Sequence, residues 1–96
     1  MVVELSPSDA RRLLSEEPGV QFIDVREPHE RMARHIPGTM HIPLGQLARH
    51  LHRLDPGRPV VVHCKSGVRS AAACQLLRHL GFRRVYNLRG GIDSWS

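Results

Sequence analysis

Only four aromatic side chains, two cysteines and a single lysine stand among the 96 residues. Four rings, with no basic run interleaved among them, leave no stacking platform for nucleic acid. Two cysteines are too few for a disulfide framework or a four-cysteine zinc site. No apolar run approaches the roughly 18 residues of a membrane span, so no membrane partner is expected. The opening MVVELSPSDARR lacks the basic-then-apolar layout of a secretion signal. A reducing, cytoplasmic location is expected, in which the cysteines are either buried or chemically active. The seven histidines form no H-x-x-x-H or H-x-x-E-H pair, and His50 and His52, two apart on a helix, would face different directions. Neither a metal site nor a cofactor is expected.

What is present is an ordinary globular mixture. A hydrophobic share of 41% over 96 residues fits one small domain, 1–96, with a compact core. Fourteen basic residues, thirteen of them Arg, outnumber nine acidic ones and leave a net charge of +5. Most of that excess reads as a solvated surface, and a part of it can draw anions to a site.

Short elements alternate along the chain. Val2-Val3-Glu4-Leu5 reads as a strand, and Ser6-Pro7-Ser8-Asp9 as a capped helix start that buries Ala10, Leu13 and Leu14. Pro18-Gly19 breaks the chain before an apolar strand over 20–25. Glu27-Pro28 opens a second helix to about Arg34, and Met40-His41-Ile42 is a brief strand. Leu44, Leu47, Ala48, Leu51 and Leu54 recur at helical spacing and predict an amphipathic helix ended by Asp55-Pro56-Gly57. The β-branched run 59–63 predicts a strand buried on both faces. Residues 69–80 predict a mostly apolar helix with Gln75, Arg78 and His79 as its polar stripe and Gly81 as its cap. Residues 85–88 make the last strand, and Gly90-Gly91 opens a final helical turn. Such alternation predicts an α/β fold with a five-stranded, mainly parallel sheet covered by helices on both faces. Sites in such sheets lie beyond the C-terminal strand ends. Three segments reach that place: Asp24-Val25-Arg26, Cys64 to Arg69, and Arg89-Gly90-Gly91.

The loop Cys64-Lys65-Ser66-Gly67-Val68-Arg69 joins a buried strand to a helix. Gly67 permits a backbone angle that other residues resist, so successive N–H groups can turn inward as an anion cradle. The helix that follows adds unpaired N–H groups and the positive end of its dipole. Lys65 and Arg69 add cationic charge nearby. A thiol placed there loses its proton readily and becomes a strong nucleophile. Cys74, ten residues on inside an apolar helix, reads instead as core packing.

At this point the chain resembles the rhodanese-like sulfurtransferases. Asp24-Val25-Arg26 looks like that family's D-x-R motif, and residues 35–44 look like its H-I-P-G-A-x-N-I-P motif. Cys64 to Arg69 matches C-x-x-G-x-R, and residues 90–95 match the closing G-G-x-x-x-W. The resemblance implies a three-layer fold in which Cys64 accepts a sulfane sulfur from thiosulfate or a similar anionic donor. The resulting persulfide would pass to cyanide, a thiol or a sulfur-acceptor protein. Residues Lys65, Ser66, Gly67, Val68 and Arg69 would cradle the anion. Arg26, Lys65 and Arg69 would bind substrate, and Asp24 would brace the loop or Arg69. Ser66 stands where some thiosulfate-specific members carry Lys. Arg31, Arg34 and His41 replace the usual aromatic, Gly and Asn.

Other readings share parts of this pattern. Tyrosine phosphatases place five residues between cysteine and arginine, whereas four separate Cys64 from Arg69. The tighter loop suits one sulfur better than a tetrahedral phosphate. A catalytically silent binding module and a persulfide relay for a partner enzyme are the further alternatives. His63 reads as a satisfied histidine at a strand end, Trp95 as a packing anchor under the loop, and Gly90-Gly91 as a close backbone approach beside it.

Overall fold

The computed structural model describes residues 2–96. Five strands, β1 (Val3–Leu5), β2 (Gln21–Asp24), β3 (Met40–His41), β4 (Val60–His63) and β5 (Val85–Leu88), form one sheet. Their order is β1-β5-β4-β2-β3, and every neighbouring pair is parallel. Parallel pairing requires crossovers. These run through α1 (Pro7–Glu16), α2 (Pro28–Ala33) and α3 (Val68–His79), and through 3₁₀ segments at Leu44–Gln46 and Ala48–Arg53; another 3₁₀ turn, Gly91–Ser94, follows β5.

The local signals behave as the side chains require. Ser6 Oγ accepts the Asp9 N–H at 3.1 Å and caps α1, whose Ala10 is fully buried. Val60, Val61 and Val62 are all fully buried, because β4 is central and both of its faces are covered. Successive residues of a strand point to opposite faces. Val60 and Val62 therefore join Ile23, Ala73, Cys74, Leu77 and Val85 on the α3 side. Val61 joins Ala10, Phe22, Leu88 and Ile92 on the α1 side. Gly81 takes φ +100° just past α3 and ends it as expected.

One element departs from expectation. Residues 44–54 are not one amphipathic α-helix but two 3₁₀ segments, with non-helical backbone at His50 (φ −115°, ψ 22°). Hydrogen bonds span three residues, from Leu47 N–H to the Leu44 carbonyl and from Leu54 N–H to the Leu51 carbonyl. In a 3₁₀ helix positions three apart line up. Leu44 and Leu47 therefore share one side, and Leu51 and Leu54 the next, with His50 resetting the phase. Leu47 and Leu54 are buried, and Ala48, placed on the apolar face by an α-helical reading, is exposed. Helix α3 starts one residue earlier than predicted, at Val68, and buries only Ser70, Ala73, Cys74 and Leu77. Among the described residues, no helix is long and apolar enough to cross a membrane.

Candidate active site

Strands β2, β4 and β5 end side by side, and the loop after β4 lies between the other two ends. Gly67 adopts φ +111°, a left-handed angle that a residue with a Cβ avoids, and directs its N–H back to Cys64 Sγ at 3.1 Å. The Ser70 N–H, in the first turn of α3, points to the same sulfur at 3.3 Å, and the Ser70 Oγ lies 3.3 Å from it. Cys64 is 1% exposed, at the floor of this cradle. Burial pushes the thiol pKa up. Hydrogen bonds that converge on the sulfur from Ser70, Gly67 and Ser66 outweigh burial, so the thiol is more acidic than an ordinary cysteine. Cys74 lies in the core, where burial raises its pKa to about 12.

The loop is clamped from behind. The Ile92 N–H donates to the Cys64 carbonyl at 3.0 Å, and the Asp93 N–H to the Lys65 carbonyl at 3.1 Å. A Cβ on Gly91 would lie 2.5 Å from the Cys64 carbonyl oxygen, so the close approach read from Gly90-Gly91 is real at Gly91. Trp95 packs edge-on against Phe22, with ring centroids 5.6 Å apart, beneath the Arg11 guanidinium, and so anchors the turn that holds the loop.

The cations are differently placed from the expectation. Arg69 makes a bidentate pair with the Glu30 carboxylate at 2.7 and 2.9 Å, and its hydrogen bonds bring Glu30 down to about 2. Lys65 is exposed and pairs with Asp93 at 2.9 Å. Arg69 and the sulfur favour each other's charge at longer range, but the leading causes of the thiol's acidity are the hydrogen bonds it receives. Ser66 is exposed, and Val68, 77% exposed, stands at the start of α3.

Asp24 and Arg26 pair with each other. Asp24 does not brace Arg69 or the loop. Its buried carboxylate receives the Arg26 Nε at 3.0 Å and Nη2 at 2.9 Å, with Arg31 Nη1 at 3.2 Å. Burial would raise the Asp24 pKa, but Arg26 holds it below the usual carboxylate value. Arg26 is only 4% exposed, and its guanidinium also donates to the Arg34 carbonyl at 2.7 Å. It is therefore a structural partner of Asp24, placed at the wall of the cavity beside the loop. Arg31 spans from Asp24 to Thr39, and Arg34 donates to the Ile92 carbonyl at 2.7 Å, so both replaced positions serve as staples. A cavity of about 220 Å³ beside the loop is lined by Arg26, Glu30, Arg34, Lys65, Ile92 and Asp93.

Sequence reasoning passed over Ser70, Asn87 and Glu30. The signal was faint but present: Ser70 is the polar member of the buried stripe Ser70, Ala73, Cys74, Leu77, and Asn87 interrupts an apolar strand. His63 is only half satisfied. Its Nδ1 bonds the Cys64 carbonyl at 3.0 Å, whereas its buried Nε2 has no partner and stands 3.8 Å from Asp24 Oδ1. The carbonyl only accepts, so Nδ1 carries the hydrogen, and burial keeps the ring neutral by lowering its pKa.

Residues 6–96 match the family model of the rhodanese-like domain. The thiosulfate sulfurtransferase GlpE of Actinobacillus pleuropneumoniae is 36% identical over 93 residues, covering 97% of this chain and 85% of that protein. The Bacillus subtilis protein YqhL is 44% identical over 76 residues, which are 79% of this chain and 60% of that protein. A rhodanese-like domain protein from Staphylococcus aureus superposes with a TM-score of 0.90 at 26% identity, over 99% of this chain and 92% of that one. With residues 6–96 matched by the family model, the chain belongs to the rhodanese-like domain family.

Proposed function

We propose that this protein is a sulfurtransferase that carries a sulfane sulfur as a Cys64 persulfide. The observation that carries the reading is the convergence of the Gly67 and Ser70 N–H groups on Cys64 Sγ. The thiolate attacks the outer sulfur of a donor such as thiosulfate. A new S–S bond forms, the donor's own S–S bond breaks, and sulfite leaves with the electron pair. The outer sulfur of the persulfide now holds the negative charge, and inward N–H groups stabilise it where it develops. A thiolate or cyanide then attacks that outer sulfur, and Cys64 departs as the thiolate. No external base is needed, because the cradle already favours the ionised sulfur.

Intact mass after incubation with thiosulfate tests the proposal. The wild type should gain one sulfur atom, lose it to cyanide or dithiothreitol, and Cys64→Ala should gain none. No sulfur gained from thiosulfate, from a low-molecular-weight persulfide or from a cysteine desulfurase would sink the reading. Hydrolysis of a phosphate ester without sulfur loading would assign a phosphatase instead.

A further inference from the structure

The Ser70 hydroxyl has one hydrogen and two claims on it. Its oxygen lies 3.3 Å from Cys64 Sγ and 2.5 Å from Asn87 Oδ1. All three residues are at most 2% exposed, so water does not supply a missing donor and the hydrogens can be counted. Asn87 Nδ2 donates to the Glu4 carboxylate at 2.9 Å and to the Gly67 carbonyl at 3.0 Å. Turning the amide round would set its oxygen against two oxygens. Both Nδ2 hydrogens are therefore spent, and Oδ1 can only accept. The Ser70 hydrogen goes to Asn87, and Ser70 presents a lone pair to the sulfur. A lone pair accommodates the S–H of a thiol and disfavours a thiolate. For the hydroxyl to serve the thiolate it must turn, which leaves Asn87 Oδ1 buried and unpaired.

We propose that Asn87, oriented by Glu4 on the edge strand β1 and by the Gly67 carbonyl, is a positioning residue that holds the Ser70 hydrogen away from the Cys64 sulfur. The backbone amides are then the thiolate's donors, and Asn87 restrains the ionisation they favour. Resting on the proposed persulfide, a consequence follows for transfer. Loading moves the charge to the outer sulfur, so the restraint weighs on the free thiolate more than on the loaded form. The Glu4–Asn87–Ser70 hydrogen-bond chain thereby favours retention of the carried sulfur.

The other charged and titratable groups around the sulfur are His63 from β4, Arg69 and Cys74 from α3, Glu30 from α2, and the Lys65–Asp93 pair. Asn87→Ala alters none of them. The test is the pH profile of iodoacetamide alkylation at Cys64, read by peptide mass, which needs no sulfur donor and so stands or falls apart from the transfer assay. Asn87→Ala should alkylate about tenfold faster than wild type below the wild-type midpoint, the freed hydroxyl now donating to the sulfur. Adding Ser70→Ala should cancel that gain. Glu4→Ala, at an exposed position on β1, should move the profile the same way by about twofold, because the Gly67 carbonyl still holds the amide. An unchanged or higher midpoint in Asn87→Ala, or a raised midpoint in Ser70→Ala alone, would overturn the proposal. Should Asn87→Ala fail to fold, the absence of a downward move in Glu4→Ala overturns it as well.

Discussion

Cys64 and Cys74 are equally hidden, at 1% and 0% exposure, yet their thiols are pushed in opposite directions. Both sulfurs lose water. Around Cys64, the end of β4 and the start of α3 bring unpaired N–H groups to the sulfur. Around Cys74, the α3 backbone is already paired and the neighbours are Val60, Val62 and Leu77. Burial alone therefore does not set reactivity. What sets it is whether fixed dipoles replace the lost water, and helix starts supply such dipoles where helix interiors do not.

The largest way to test the contrast is to exchange the two thiols' roles. Cys64→Ala should reduce sulfur loading to background by intact mass, whereas Cys74→Ala should load normally and lose about 1 kcal/mol in a urea titration, the cost of a small core cavity. Loading on Cys74 in the Cys64→Ala protein would break the comparison.

A second prediction attacks the clamp behind Cys64. Gly91 takes φ +58°, and an added Cβ would collide with the Cys64 and Lys65 carbonyls. Gly91→Ala should lose about 3 kcal/mol and about tenfold in the rate of loading. Gly81 also has positive φ, but open space surrounds it. Gly81→Ala should lose only about 1 kcal/mol, and its loading rate should match the wild type. Equal effects of the two substitutions on loading would show that the loop does not depend on its clamp.

A smaller effect comes from acid. The Arg69 pair holds Glu30 near 2 in the folded chain, against 4.5 for an unpaired glutamate. A lowered carboxylate stabilises the fold fully above about 4.5, and that stability drains away as the pH falls towards 2. The loss should be about 1 kcal/mol, because the partly exposed Arg69 is screened by solvent. Thermal midpoints across this range should slope in the wild type and flatten in Glu30→Gln. A slope unchanged by the substitution would assign the acid sensitivity to the other carboxylates held low, Asp24 and Glu17.

The nucleophile's loop was legible because its physics is local. A cysteine at the end of an apolar strand, a glycine three residues on and a helix start all lie within one short segment. The capped start of α1 and the doubly buried β4 were legible for the same reason. The span 44–54 is ambiguous in sequence because five apolar positions fit an α period and a phase-shifted 3₁₀ period alike, and the contacts that choose between them lie in the core shared with the sheet and α3. Asp24, Arg26, Arg69 and Glu30 were all visible as charges, but their pairing was not. Arg69 meets Glu30, 39 residues distant, while Arg26 turns back to Asp24.

The chain's own pattern was enough to specify an α/β sheet, a strand-to-helix loop and a cysteine at its head, since hydrophobic period, turn residues and N–H direction are properties of neighbouring residues. Folding alone decided which acid neutralises which base, and that Asn87 from β5 and Glu4 from β1 stand behind Ser70. Those choices depend on distances across the sheet, and a linear order of residues carries no such distances.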